Sequence, residues 1–518
     1  MTDCDVFETP PGAFGSPFLI EPGTGRRILL VTPRGDERLI AGKVHQTYNL
    51  DQAVDRLGAG MTLRLLPGKY YRSVELVGKR GTADAAIEIE GWPADDEEKR
   101  THICGTNAAG AIYPDQPTED DYALFKLRNC SHVTIRNLRV ESCWPSFVYA
   151  ENSHHIALTH IDAQDGSYLV FMRGPKAQDL TVAHCRWDQD PTGTLWGDID
   201  WEHSHHGPYA YYNGALAGGV DVRGNIEVAH CTVVNAHNGV RFDTSTDDKD
   251  RILGRFNVNA QIHHNRFVNL RDNAVEPEQT CLNWHIHDNE MKNVHAVYSI
   301  HHLHGGFIFI YGNRLWFDDR GGADYQENRG GKIYKFHRKG PMPRHPIHVF
   351  HNSLYSRTFL IKKARTRLFS HRSNAVQFCD PAAHKQCLCR DDREFLKKFP
   401  IDEDGNPVVW DDTVVFDNDA TNKPFGALST EHGQEKDGLV LDDLGFADPM
   451  KGDFTLRGDS PLRNAAVAFT LKPGEDHPGG EPWLNLDSAG GRLHIGAVQE
   501  KGNELELPFA SMPIETGT

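Results

Sequence analysis

The chain has 518 residues and a formal net charge of −17, from 72 acidic and 55 basic residues. That balance argues against a nucleic-acid partner, and no nucleic-acid module is visible. No run of about 18 apolar residues occurs, so the sequence predicts no membrane-spanning helix and no membrane partner.

The first residues, Met-Thr-Asp-Cys-Asp-Val-Phe-Glu, carry neither a basic start nor an apolar stretch. They do not read as a signal peptide, and the expectation is a cytoplasmic protein or one exported by a non-classical route. Residues 1–45 are rich in Gly and Pro and read as an extended segment along the outside. Leu50, Val54 and Leu57 then fall on one face of a short helix that Gly58-Ala59-Gly60 ends. An amphipathic helix here caps the open end of a stack of strands, which would otherwise expose an unpaired edge.

From 46 to 375 one short apolar–x–apolar phrase returns. Its central residues are Ile135, Leu158, Val182, Val228, Ile262, Ile286, Ile310 and Val349, in steps of 23, 24, 46, 34, 24, 24 and 39. A step of about two dozen residues with period-2 runs and no room for a long helix predicts a parallel β-helix, an all-β solenoid. The residue three places on is Leu138, Ile161, Cys185, Cys231, Asn265, Asn289, Asn313 and Asn352. Stacked about 4.8 Å apart, the first four make an apolar and thiol column and the last four an asparagine ladder. The long steps loop out near 187–219, 243–258 and 317–345. Residues 376–440 break the rhythm as a charged excursion. It holds Cys379, Cys387 and Cys389 around His384, for which simple thiols, a local disulfide and a zinc site stay open. Residues 441–500 read as closing coils and 501–518 as a frayed tail.

The phrase Leu65-Leu66-Pro67-Gly68-Lys69-Tyr70-Tyr71, the coil repeats and the ending Phe454-Thr455-Leu456, Ser460-Pro461-Leu462 and Ile495-Gly496-Ala497 resemble the pectate-lyase-like group. The resemblance covers most of 60–500 and implies a right-handed parallel β-helix and carbohydrate chemistry. That fold hosts lyases, hydrolases, epimerases and non-enzymes, so it does not select a reaction.

Three clusters face outward. In the first, alternation places Arg241 and Asp243 outside if Val240 and Phe242 point in, and Glu276 and Glu278 outside a coil later. With Asn235 these oxygens suit Ca²⁺, or two of the carboxylates form an acid–base pair. The second is the stretch 329–372, with twelve Lys or Arg and no acid, including Lys332, Lys335, Arg338 and Lys362. A basic face beside an acidic or metal site suits an anionic polymer. The third is the loop around 196–212, whose Trp196, Trp201 and Tyr209 offer faces for sugar rings, with Tyr298 and the run His301-His302-Leu303-His304 bordering the same groove.

Residues 220–306 also resemble the chondroitinase B and alginate lyase family. The resemblance implies Ca²⁺ held by Asn235, Glu276 and Glu278 against a substrate uronate, a Lys that takes the C5 proton and an Arg that helps the leaving oxygen. The segment after Glu278 has no Lys, and the His301–His304 group stands where the Arg is expected. Lys332, Lys335, His302 and His304 are therefore the candidate bases, with Arg241 and Asp243 beside them. The leading reading is a polysaccharide lyase that cleaves an anionic, uronate-containing glycan by β-elimination. A glycoside hydrolase is the alternative, using a carboxylate pair from Asp243, Glu276 and Glu278 or from Asp198, Asp200 and Glu202. A C5-epimerase and a non-catalytic glycan-binding solenoid stand behind these.

Overall fold

A computed structural model describes residues 18–40, 43–71, 73–92, 101–105, 123–193, 213–246, 248–318, 332–336, 342–357, 359–361, 366–380, 413–430, 432–471, 484–485, 493–500, 505, 507 and 509–515. The chain divides into two units, Met1–Ala236 and His237–Thr518. Each is a run of coils in a right-handed parallel β-helix.

In the first unit, β1 (Arg27–Val31) lies parallel to β2 (Met61–Leu65), with Leu29 opposite Leu63. Between them sits α1 (Leu50–Arg56), which buries Leu50, Ala53 and Val54. Its start is fixed by a capping box. The Asn49 side chain accepts from the Gln52 amide at 2.9 Å, and the Asn49 amide donates back to the Gln52 side chain at 3.3 Å. The helix is where its sequence put it. The coils begin earlier than residue 46, because β1 precedes the helix and already pairs in register.

The unit continues through β3 (Ile87–Gly91), β4 (Thr101–Cys104), β5 (Ser131–Glu151) and β6 (His154–Arg173). Ile89 lies opposite Ile135, Ile135 opposite Leu158, Leu158 opposite Val182, and Val182 opposite Val228. All five are fully buried. Cys185 and Cys231 occupy the next interior column, where each thiol points at a carbonyl of the preceding coil, Leu158 O at 3.6 Å and Val182 O at 3.5 Å.

The second unit repeats the pattern. Ile262, Ile286, Ile310 and Val349 stack in register, and His371 takes the following place. The asparagine ladder forms and runs further than expected. The backbone N–H and Nδ2 of Asn265 both donate to Oδ1 of Asn289 at 3.0 Å, and Asn289 treats Asn313 likewise, as Asn313 does Asn352. Asn352 then donates to Asn374, and Asn374 to Oδ1 of Asp419. The second Nδ2 hydrogen goes back to a carbonyl of the neighbouring coil, such as Ile286 O from Asn313 at 2.9 Å. Burial acts upward on the terminal Asp419 carboxylate, but His371 together with hydrogen bonds from Glu435 and the Asn374 backbone outweighs it and keeps the acid below its usual range. Glu435 beside it is pushed up to about 11, first by burial and then by Asp419.

The residue just before each rung adopts a left-handed conformation. His264, Asp288, Gly312, His351, Ser373 and Asn418 have φ between 50° and 65°. In the first unit Asn137, His160, His184 and His230 do the same, with φ of 54–57°. Nearly all are residue types that tolerate this region. The turn they make aims the next side chain inward, and it explains the outward histidine stacks, such as His184 on His230 at 4.9 Å.

Three boundaries move. Val414–Asp417 is again in parallel register with Phe369–Arg372, so the excursion ends before 414 rather than at 440. Residues 381–412, with Cys387, Cys389 and His384, lie outside the described residues, while Cys379 is a partly buried thiol. The segment expected to add closing coils instead forms an antiparallel pair, Phe446–Asp448 with Asp453–Leu456, that buries Phe446, Phe454 and Leu462 against Trp316 and Ile495. The described part of 501–518 is docked rather than frayed. Asn259 exchanges two hydrogen bonds with the Met512 backbone, and Asn283 donates to Ala510 O at 3.0 Å.

Asn313→Ala removes the acceptor of two buried donors on Asn289 and the Nδ2 donor to Asn352 and to Ile286 O, while the backbone N–H to Asn352 is kept. Chemical unfolding should show a loss of about 3 kcal/mol. A loss below about 1 kcal/mol would mean that the ladder is not a stabilising element.

Candidate functional site

The outward cluster of the second unit is built by a single column across successive coils. β7 (Asn238–Asp243) pairs with β8 (Val275–Glu276), placing Val240 opposite Val275 and Arg241 opposite Glu276. β8 pairs with β9 (Ala296–Ser299) through Val275 and Tyr298, and β9 with β10 (Lys332–Lys335) through Tyr298 with Tyr334 and Ser299 with Lys335. β11 (Phe359–Ile361) follows, with Ile361 opposite Tyr334. The inward column is thus Val240, Val275, Tyr298, Tyr334 and Ile361, and the outward column is Arg241, Glu276, Ser299 and Lys335.

This corrects one expectation directly. Tyr298 is 3% exposed and stacks on Tyr334 at 5.8 Å inside the coil, so it is core and not a sugar platform. It falls there because its neighbour Ser299 takes the outward position, and alternate residues on a strand face opposite ways. Trp196, Trp201, Tyr209, Arg338 and Lys362 lie outside the described residues, as do Asp198, Asp200 and Glu202.

Arg241 Nε sits 3.2 Å from Oε2 of the buried Glu276. Glu278 follows the strand and its carboxyl meets the Ser299 hydroxyl. Lys335 Nζ lies 3.5 Å from both Asp272 Oδ2 and Asn273 Oδ1. Asp243 accepts the Thr244 amide at 2.7 Å. Asp272, Asn273 and Ser299 carried no sequence signal of their own. They are found only once the register is known, because the steps from Arg241 to Glu276 to Ser299 to Lys335 are irregular.

The column sets protonation states. Burial is the main force that lifts Glu278 to about 8, and the nearby Glu276 charge adds to it against Lys335. Glu276 is also raised, first by burial, against the pull of Arg241 and Lys335. For Lys335 burial acts downward, but Asp272, Glu278 and Glu276 together outweigh it and raise the ammonium above its usual value. Lys335, one of the candidate bases, is thereby favoured in its protonated form, which suits it as a cation and not as a base. The basic stretch meets acids along its described part: Lys335 with Asp272, Arg344 with Asp250, and Arg372 with Asp417 at 3.4 Å.

Two histidines border the cluster electrostatically. His302 is held below its ordinary value by burial and then by the Lys249 and Lys335 charges, so its imidazole is neutral at pH 7. His295 is pushed down to about 3, chiefly by burial. His304 is committed elsewhere, its Nε2 2.9 Å from Asp250 Oδ1, which Arg344 also contacts. Lys332 pairs in register with Ala296 at the start of β10, three residues before Lys335.

The expected Ca²⁺ set divides between the two units. Asn235, in the first, donates its amide to Asp188 Oδ1 at 3.2 Å. Glu276 and Glu278, in the second, are hard oxygen donors whose upward shifts a bound cation would relieve, so the pair fits Ca²⁺ chemically.

No protein-family model matches this sequence, and no curated protein matches it. Among solved structures, the chain is similar to the pectate lyase Pel9A, with a TM-score of 0.43 and 10% identity over 92% of this chain and 98% of that one. It is also similar to a mannuronic acid specific polysaccharide family 6 lyase from human gut microbiota, with a TM-score of 0.43 and 10% identity over 80% and 92%. A GH136 lacto-N-biosidase from Eubacterium ramulus gives a TM-score of 0.34 and 10% identity over 68% and 64%. Likenesses this distant do not bear on the reaction, and the fold rests on the strand register itself.

Glu278 yields a pH-dependent stability. A carboxyl whose folded value of about 8 exceeds its ordinary 4.5 contributes fully below 4.5, and the contribution is lost as pH rises through 8. Urea unfolding at pH 5 and pH 8 should therefore show wild type losing more stability across this interval than Glu278→Gln. Equal losses in the two proteins would place Glu278 at an ordinary carboxylate value.

Proposed function

We propose that the protein is a polysaccharide lyase acting on an anionic, uronate-containing glycan at the Arg241–Glu276–Ser299–Lys335 column. The observation that carries this reading is the outward column itself, with Arg241 3.2 Å from Glu276 and Lys335 3.5 Å from Asp272. The Lys335 ammonium is held charged, and the His302 imidazole is kept below its ordinary value by burial and then by Lys249 and Lys335. β-Elimination needs two things. The C5 proton of a uronate is too weakly acidic to leave until positive charge meets the carboxylate, and the base must be unprotonated at working pH. In this reading Lys335 and Arg241 meet the uronate carboxylate and the enolate that develops from it. His302 accepts the C5 proton at a ring nitrogen. Lys335 is also a proton donor for the departing glycosidic oxygen. Glu276 and Glu278 would hold Ca²⁺, which when bound would supply further positive charge against the substrate carboxylate.

A second reading has its own support. Glu278, neutral up to about pH 8, is a competent general acid, and Asp243 and Glu276 are candidate partners for glycoside hydrolysis. The two reactions differ in product. Elimination creates a conjugated unsaturated uronate, which absorbs in the ultraviolet, and hydrolysis creates reducing ends without it.

A panel of uronate polymers should yield ultraviolet-absorbing product. Lys335→Met should lower kcat/KM by about 10²–10³-fold, and His302→Asn by a similar factor of about 10²–10⁴. The rate should rise with pH through a value below 6.5, the ordinary histidine value, because His302 is depressed. Reducing ends without absorbance would instead select the hydrolase, and in that case Glu278→Gln would abolish turnover. No product from any polymer would reject both.

A further inference from the structure

The first unit carries a trio of side chains that the proposed chemistry does not use. Register places Arg139 of β5 opposite His102 of β4, Val140 opposite Ile103, and Glu141 opposite Cys104. Ile103 and Val140 point into the coil and are buried. His102 and Cys104 therefore share the outer face with Glu141, two residues apart on one strand and directly across on the next. That face is normally wet, yet His102 is 9% and Cys104 3% exposed.

The three donor atoms converge. His102 Nε2 lies 2.8 Å from Glu141 Oε2, and Cys104 Sγ lies 3.9 Å from the same oxygen. All three atoms are within 4.8 Å of one another. The other carboxylate oxygen, Oε1, is taken by Gln164 Nε2 at 2.7 Å, which turns Oε2 toward the histidine and the cysteine. His102 Nε2 is buried and held against Oε2 by an attraction that raises its affinity for a proton, while burial, the larger effect, lowers it. Tetrahedral ligation with bonds of about 2.0 Å to N and O and about 2.3 Å to S would separate N from O by about 3.3 Å and S from O by about 3.5 Å. The observed 2.8 and 3.9 Å bracket those values, and small side-chain rotations reach them.

We propose that Cys104, His102 and Glu141 form a binding site for a divalent cation of the zinc class. One thiolate, one imidazole and one carboxylate suit a borderline-soft ion better than Ca²⁺ or Mg²⁺, which prefer oxygen alone. Three protein ligands leave a fourth position for water or a ligand atom. Gln164 is a positioning residue that orients the carboxylate from outside the ligand set. Binding displaces the thiol proton of Cys104 to solvent.

Titration of the metal-free full-length protein with Co²⁺ tests this, because cobalt bound to thiolate gives an intense near-ultraviolet charge-transfer band. The expected result is one equivalent per chain, displaced by Zn²⁺, with the band lost in Cys104→Ser. His102→Ala should weaken Co²⁺ at least about tenfold, and Gln164→Ala about 10–100-fold with the band retained. Absence of the band in wild type overturns the proposal. So does a band that survives in Cys104→Ser, which would locate the thiolate elsewhere, for instance at Cys379. If Cys104→Ser fails to fold, wild-type cobalt affinity in His102→Ala is by itself decisive against the site.

Discussion

Parallel in-register stacking of coils is the constraint on which everything else in this protein depends. Each coil is too small to bury its own inner face, so stability comes from like placed on like at about 4.8 Å. The aliphatic columns through Ile135 and Ile262 are the apolar half of that arrangement. The asparagine ladder is its polar half, since each buried amide spends its hydrogens on the next rung and on a neighbouring carbonyl. A turn residue with positive φ before every rung makes the geometry repeatable. The ladder ends on Asp419, whose other oxygen lies 2.5 Å from Nδ1 of His371 in the apolar column.

The same register builds the candidate site. Loop-borne clusters can be moved by small changes in a loop, but Arg241, Glu276, Ser299 and Lys335 are successive members of one outward column, fixed by the pairing of their strands. Their closeness follows from stacking, and so do their charges. Two carboxyls on buried backbone are raised, one lysine among acids is held protonated, and a histidine near that lysine is held neutral. Groups with pre-set protonation states in a charged column are the ingredients of proton-transfer chemistry.

Much of the fold was legible because a solenoid writes its period into the sequence. The central apolar residues and the asparagine rungs stack where the repeat placed them, and the helix over Leu50–Arg56 follows from its apolar spacing and the glycines after it. What the repeat hides is anything set by a long step. Ser299 and Asp272 join the site through coils whose lengths vary, so no spacing announced them. Tyr298 was misplaced for the same reason, since a one-residue shift in phase exchanges inside for outside. The closing segment escaped because an antiparallel pair and a parallel coil have the same alternation of apolar residues. Asn235, which the motif singled out, donates to Asp188 among its contacts.

Coil stacking sets the protonation states of the outward column by burying its carboxyls beside Lys335. This is tested most directly by carbon-13 NMR of side-chain-labelled glutamate, with Glu278→Gln used to assign the signal. Glu278 should titrate near 8, and Lys335→Met should move it higher still, because the ammonium favours the ionised form. Titration near the ordinary value of 4.5, unmoved by the loss of Lys335, would contradict the account.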